Sequence, residues 1–142
     1  MSDDLKARVK HRIKAPAKAV FEAWLDPVAL SEFIRPAEGM EAPEVKADGR
    51  EGGDFLINMK VGDEIWPHRG TYRKLDPYRE LQFSWLSGHT TEDSLVTIRL
   101  TEISPGETDL ELIHTGFPSD KARDDHQGGW TRIVEVLDSF LQ

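Results

Sequence analysis

Apolar residues recur at every second position in a series of short segments between Glu44 and Thr115. Turn residues, mainly Gly, Asp, Ser and Pro, separate these segments. Period-two alternation is typical of strands with one covered and one solvated face. The residues that define the predicted covered face are Phe55, Ile57, Met59, Leu81, Phe83, Trp85, Val96, Ile98, Leu100, Leu110, Leu112 and His114. Five hairpin-linked strands, including one over Trp66 to Leu75, therefore predict a curved antiparallel sheet.

The segment before this series has a mixed pattern that predicts one strand and two short helices. Lys6 to Ile13 is typical of a strand, although its alternation is imperfect. Pro16 opens a helix, where its missing N–H is harmless, and Val20, Phe21 and Trp24 form the apolar face. Asp26 precedes Pro27 as the N-cap of a second helix, which Pro36 ends. Leu30, Phe33 and Ile34 give that helix its buried side.

The last segment of the chain predicts a long amphipathic helix with Ser119 as its N-cap. Its apolar stripe, at the spacing of a helix with 3.6 residues per turn, is His126, Trp130, Ile133, Val134, Leu137 and Leu141. Gly128 and Gly129 interrupt it, and each interior glycine costs about 1 kcal/mol relative to alanine. Either the helix starts only near Trp130, or the glycines allow a close approach or bending over a cavity.

This order of elements predicts an α+β protein, with strand, two helices, β-meander and terminal helix in one domain over residues 1–142. The apolar face of the sheet must be buried, and only the terminal helix is long enough to cover it. Because a sheet twists and curls, side chains fill the space between sheet and helix incompletely. We expect the binding site in that space.

The composition argues against several classes of function. The formal net charge of −8 argues against binding to nucleic acid or anionic membranes. The absence of cysteine excludes disulfides and thiolate sites. A charged N-terminus without an apolar run and the lack of a long apolar stretch predict neither secretion nor membrane insertion. The expected location is therefore the cytoplasm.

The chain resembles the Aha-type family, which comprises homologues of the C-terminal domain of the Hsp-ninety chaperone's ATPase activator. The resemblance rests on short motifs in a fixed order, which are Ala15-Pro16 with Val20-Phe21, Ala23 to Pro27, Gly52 to Phe55, Gly70-Thr71-Tyr72, Leu81 to Trp85, Gly116-Phe117-Pro118 and Gly128-Gly129-Trp130. Asp48, Arg50, Asp76-Pro77, Leu110, Leu112, His114 and His126 complete the pattern. Family members commonly carry tryptophan near the position of Phe33, a difference that could alter the shape of a cavity.

The resemblance implies the helix-grip fold of the START and birch-pollen-allergen-like superfamily, in which a curved sheet wraps around a long C-terminal helix. That superfamily contains ligand carriers, cyclases, hydratases and regulators, so the fold alone does not give the activity. The chain begins almost at the first strand of the fold. We therefore do not expect a complete chaperone activator.

Aromatic and apolar residues predicted to face the interior are the candidate ligand-binding residues. They are Phe21, Trp24, Phe33, Phe55, Ile57, Met59, Trp66, His68, Tyr72, Phe83, Trp85, Val96, Ile98, Leu112, His114, Phe117, His126, Trp130 and Val134. Aromatic walls would suit a flat apolar ligand. Any single one of them could instead be a core residue, and His114 is more simply a structural histidine. As a set, they predict a partly open cavity.

Two functional hypotheses of different classes follow. The first is a binding module that holds a small apolar or amphipathic molecule without cofactor, metal or catalytic residues. The second is a cyclase, aromatase or hydratase with His114 or His68 as acid–base and Tyr72 as oxyanion donor. Two histidines, His114 and His126, make a poor zinc site without further ligands. Protein interaction and a homodimer remain alternatives.

Overall fold

The computed structural model describes residues 5–37 and 39–142, which form seven strands and three helices. The strands are β1 (Ala7–Ile13), β2 (Glu44–Ala47), β3 (Asp54–Val61), β4 (Glu64–Asp76), β5 (Glu80–Ser84), β6 (Leu95–Ser104) and β7 (Glu107–Thr115). The helices are α1 (Ala17–Ala23), α2 (Pro27–Phe33) and α3 (Asp120–Leu141). All strands pair antiparallel in one sheet of order β1-β7-β6-β5-β4-β3-β2. The protein has the helix-grip fold, and the prediction of fold class is confirmed.

The covered face of the sheet is the one that the alternation predicts. On β7, Leu110, Leu112 and His114 are buried while their neighbours are partly exposed. Pairing places Leu112 opposite Ile98 of β6, and His114 opposite Val96. Because directly opposed residues share one face of an antiparallel sheet, this register carries the apolar surface continuously from strand to strand.

Both predicted side-chain caps are present. The Asp26 carboxylate accepts a hydrogen bond from the backbone N–H of Val28, and the Ser119 hydroxyl accepts one from Ala122. Each bond satisfies one of the N–H groups that a helix leaves unpaired at its start. Pro16 lies one position earlier than predicted, since it is itself the N-cap residue of α1.

The structure adds one strand to the predicted series. After residue 44 it has six strands rather than five, because Glu44–Ala47 pairs with β3 at the edge of the sheet. A strand of four residues is too short to display a clear alternation. The assignment of Glu44–Ala47 as a strand therefore depends on its pairing with β3. The local sequence pattern does not report that pairing.

Helix α3 passes through both glycines without interruption from Asp120 to Leu141. The interpretation of a helix that begins only near Trp130 is therefore wrong. Trp130, Ile133, Val134 and Leu137 are all buried, and burial of such a stripe outweighs the low helix propensity of two glycines. Gly129 is also a point of close approach, because a Cβ built on it would lie 3.1 Å from the Cβ of Pro36.

The two glycines should respond differently to alanine. A Cβ at Gly128 meets nothing within 4 Å, so Gly128→Ala should raise the free energy of unfolding by about 1 kcal/mol through helix propensity. Gly129→Ala gains the same propensity but presses on Pro36, so its net gain should be smaller. Urea unfolding of both variants, monitored by circular dichroism, measures the difference. Equal stabilisation by the two substitutions would show that Pro36 does not constrain the helix.

Candidate functional site: a cavity under the first half of the terminal helix

A cavity of about 660 Å³ lies beneath the N-terminal half of α3. Four parts of the chain enclose it: the segment after α2, the β3–β4 hairpin, the end of β5 with its following loop, and the entry and first turns of α3. The lining residues are Pro36, Ala37, Met40, Met59, Val61, Trp66, His68, Trp85, Gly88, His89, Pro118, Ser119, Lys121, Ala122, Asp125, His126, Gly129, Trp130 and Ile133. Most of these side chains are apolar, as is usual for small-molecule sites.

The interior beside Trp24 and Phe55 is more closely packed. A second void of about 10 Å³ lies among Trp24, Leu30, Phe55 and their neighbours, and such a volume holds about one water molecule. In the C-terminal half of α3, Val134 and Leu137 are completely buried, whereas the N-terminal half lies over the large cavity.

Six of the nineteen candidate residues line the large cavity. They are Met59, Trp66, His68, Trp85, His126 and Trp130. The other thirteen lie outside its lining, in the packed core of sheet and helices. They are Phe21, Trp24, Phe33, Phe55, Ile57, Tyr72, Phe83, Val96, Ile98, Leu112, His114, Phe117 and Val134.

His114 joins the sheet to the terminal helix. Its Nδ1 accepts a hydrogen bond of 2.9 Å from the indole N–H of Trp130. An indole nitrogen only donates, so Nδ1 carries no proton and Nε2 of the neutral ring does. Nε2 lies 2.7 Å from the Ser94 hydroxyl and donates to it. Burial lowers the pKa of His114 well below its ordinary value, and nearby His126 lowers it further, so the ring stays neutral.

Ser94 is the partner of His114 that sequence reasoning did not identify. It is fully buried just before β6, and it shares parity with the inward-facing Val96 and Ile98. That parity is the signal that could have identified it. Gly116 makes the approach possible, because its φ is +96° and a Cβ there would lie 2.4 Å from the Cα of Ser94. Few other residues tolerate that backbone conformation.

His68 lies on β4 in the cavity wall, with its ring stacked on Trp85 at 5.1 Å. Its Nδ1 is 3.0 Å from the Trp66 carbonyl, and since a carbonyl only accepts, Nδ1 carries the proton. Burial lowers the pKa of His68 to about 4, although the Trp66 carbonyl opposes the shift; His126 and His89 lower it further. This histidine is neutral near pH 7.

His126, on α3, is likewise bonded through Nδ1 to a backbone carbonyl. Its Nδ1 donates to the Ala122 carbonyl one turn earlier, at 2.8 Å. The ring contacts Phe117 and meets His114 edge to face, with ring centres 4.9 Å and 5.2 Å away. Burial lowers the pKa of His126, and His89 adds to the shift, whereas the Ala122 carbonyl and Asp125 oppose it.

The predicted acid–base and oxyanion set is not assembled around the cavity. The Tyr72 hydroxyl donates to the Trp24 carbonyl at 2.7 Å and is buried, and burial raises the pKa of Tyr72. Both nitrogens of His114 are engaged by Ser94 and Trp130. Of the three residues suggested for catalysis, only His68 lines the cavity.

The mouth of the cavity is more polar than its interior. Lys121 and Asp125 form a salt bridge of 2.9 Å, with side chains 84% and 64% exposed. The Trp66 ring is 39% exposed and lies 5.4 Å from the ring of His89. Within residues 5–37 and 39–142, no three His, Cys, Asp or Glu side chains are placed to hold a metal ion.

Several lining residues come from parts of the chain that lack a periodic pattern. Pro36, Ala37 and Met40 follow α2, and Gly88 and His89 belong to the loop after β5. Loops carry no alternation from which a facing direction could be predicted. Ala122 and Gly129 could have been found, because they lie one turn of α3 before His126 and Ile133 respectively.

Residues 14–142 match the family described as activator of Hsp90 ATPase homolog 1-like protein. This chain belongs to that family. The family resemblance stated from the sequence is confirmed over all but the first thirteen residues. The fold and family identify a general ligand-binding or interaction module. No curated protein matches the sequence significantly.

Solved structures share the fold of this chain. Protein CV1439 of Chromobacterium violaceum aligns with a TM-score of 0.87 at 24% identity, over 97% of each chain. The AHSA1-like protein of Aeromonas hydrophila aligns with a TM-score of 0.76 at 19% identity, over 94% of this chain and 90% of its own. CalU16 of Micromonospora echinospora aligns with a TM-score of 0.71 at 28% identity, over 96% of this chain and 76% of its own.

No helix in the described part of the chain is both long and apolar enough to cross a membrane.

The bond between Trp130 and His114 should contribute measurably to stability. Trp130→Phe removes the donor and leaves Nδ1 of buried His114 unpaired, which costs about 1–3 kcal/mol beyond the loss of ring volume. Trp24→Phe is the matched control, since Trp24 is equally buried but its indole nitrogen has no partner among the described residues. Urea unfolding gives both free energies. Equal losses in the two variants would contradict a stabilising role for this bond.

Stability should fall as the solution becomes acidic. The unfolded chain binds protons at its histidines near pH 6.5, whereas folded His68 resists protonation until about pH 4. The unfolded state therefore binds more protons between these values, and the free energy of unfolding decreases as the pH falls through that range. At 1.36 kcal/mol per pKa unit, His68 alone accounts for up to about 3 kcal/mol.

His68→Gln tests this assignment, because glutamine keeps an N–H donor for the Trp66 carbonyl but does not titrate. Urea unfolding at a series of pH values from 7.5 to 4 should give a shallower decrease for the variant than for the unmodified protein. Parallel curves would show that His68 is not a source of the acid sensitivity.

Proposed function

We propose that this protein binds a small apolar or amphipathic molecule in the cavity under the first half of α3. The observation that carries the proposal is the cavity itself, about 660 Å³ in volume and mainly apolar in lining. Binding pockets for drug-sized ligands have volumes of about 300–1,000 Å³. The cavity therefore has the size and surface of a binding site.

The walls support an aromatic or otherwise flat ligand. Trp85 and Trp130 contact each other with ring centres 4.9 Å apart at the inner end, and Trp66 lies partly exposed at the mouth. Trp66 offers a large contact area with few rotatable bonds, so little conformational entropy is lost on binding, whereas Trp85 and Trp130 are each 2% exposed and only close the inner end. Met40 and Met59 add flexible apolar side chains that adapt to different ligand shapes.

Binding is better supported than acid–base catalysis. Catalysis needs at least two polar groups that converge on one reacting atom. Tyr72 and His114, two of the three candidates for such roles, are hydrogen-bonded within the protein. The cavity offers surface area and shape, which are the properties that binding requires.

A neutral fluorescent probe, N-phenyl-1-naphthylamine, tests the proposal. We expect saturable one-to-one binding with an increase in emission, as the probe leaves water for the cavity. Ala122→Phe should weaken binding at least tenfold, because it projects a ring into the cavity from a helix position in its lining. Thr131→Phe is the control, since Thr131 is an exposed residue of α3 outside the cavity lining.

The control separates the cavity from nonspecific adsorption. Equal probe binding by the unmodified protein and both variants would mean that the probe adheres elsewhere. That result, or an absence of binding to the unmodified protein, would contradict the proposed function. Native mass spectrometry of the purified protein provides an independent measurement through any molecule that remains bound.

A further inference from the structure

Nε2 of His126 is a polar atom of the cavity wall whose hydrogen-bonding role is defined and unused. The indole N–H of Trp85, another lining residue, also lacks a partner among the described residues, but it is buried. Nδ1 of His126 donates to the Ala122 carbonyl, so in the neutral ring Nε2 carries a lone pair and can only accept. Nε2 has no hydrogen-bond partner among the described residues, and the ring lines the cavity. His126 therefore presents an acceptor to whatever occupies this space.

The other cavity histidines are less suited to that role. The ring of His68 is hydrogen-bonded to the Trp66 carbonyl and lies close to the Ile57 carbonyl as well. His89 is exposed at the mouth, where water competes for its nitrogens. His126 is the partly buried one, and a hydrogen bond formed away from water discriminates more strongly between ligands.

The charges near the cavity disfavour an anionic ligand. Lys121 is the only Lys or Arg in the lining within the described residues, and it pairs with Asp125 at 2.9 Å on the solvent side. A carboxylate placed beside Lys121 would therefore also meet the Asp125 carboxylate. The neutral imidazoles of His68 and His126 offer no compensating positive charge, and an unpaired charge in an apolar site is costly.

We propose that the cavity selects neutral aromatic molecules that carry a hydroxyl group, and that this hydroxyl donates a hydrogen bond to Nε2 of His126. This inference rests on the proposed function, because it specifies the ligand class of the same cavity. The aromatic rings of the ligand lie beside Trp66, the tryptophan of the lining with the most exposed surface, and its hydroxyl meets the acceptor on the first half of α3. His126 is thus a specificity-determining residue.

Three naphthalene derivatives test which functional group the cavity prefers. 2-Naphthol carries a donor, 2-methoxynaphthalene only an acceptor, and 2-naphthoate a negative charge. In displacement of N-phenyl-1-naphthylamine at pH 7.5, we expect 2-naphthol to bind about two- to tenfold more tightly than 2-methoxynaphthalene, the range that one neutral hydrogen bond gives. 2-Naphthoate should bind more weakly than 2-naphthol.

Variants then locate the acceptor. His126→Phe keeps a ring against Phe117 and His114 but has no acceptor, so 2-naphthol should lose its advantage while the affinity for 2-methoxynaphthalene changes little. Thr131→Phe is the control, because it adds a ring on α3 outside the cavity lining and should preserve the preference. Unfolding measurements on both variants check that each is folded at the temperature used.

The outcomes distinguish this inference from the proposed function. Equal affinities for the three compounds, tightest binding of 2-naphthoate, or a preference that survives His126→Phe would overturn the inference, while displacement of the probe would still support a binding cavity. Failure of all three compounds to displace a bound probe would also overturn it. Failure of the probe itself to bind would overturn both.

Discussion

The hydrogen-bonded series Trp130–His114–Ser94 fixes the position of the terminal helix on the sheet. The indole can only donate, so one nitrogen of the imidazole must accept and the other must donate. A protonated ring would have two donors and lose the bond from Trp130. The helix–sheet connection therefore depends on a neutral histidine, which burial secures, and on Gly116, whose backbone conformation lets the chain turn into α3 directly above Ser94.

The same series separates two environments along α3. Beyond Trp130, the side chains of Val134 and Leu137 are completely buried. Before Trp130, the helix lies over the large cavity, with Ala122, His126 and Gly129 facing it. Trp130 thus belongs both to the packed core and to the lining of the cavity.

The sequence predicts the sheet well because alternation reports a property of each strand by itself. It identified the inward face of β7, including His114, and both helix caps. Alternation gives the facing direction of a residue but not its depth, so Phe83 in the core and Trp85 in the cavity wall are equivalent in the pattern. Pro36 and Met40 could not be predicted, because their positions depend on how the loop after α2 folds against a distant helix.

The cavity is not a failure of this sequence to fill its interior, since the adjacent core is filled almost completely. Small residues lie where larger ones would close the space: Ala122 and Gly129 on the helix, and Ala37 opposite them after α2. Gly129 also carries a helix-propensity cost of about 1 kcal/mol at a position that Pro36 approaches closely. At Ala122 a larger side chain would extend into the cavity, whereas at Gly129 the close approach of Pro36 by itself favours a small residue. Under the proposed function, the small side chains of Ala37 and Ala122 keep the cavity open to a ligand.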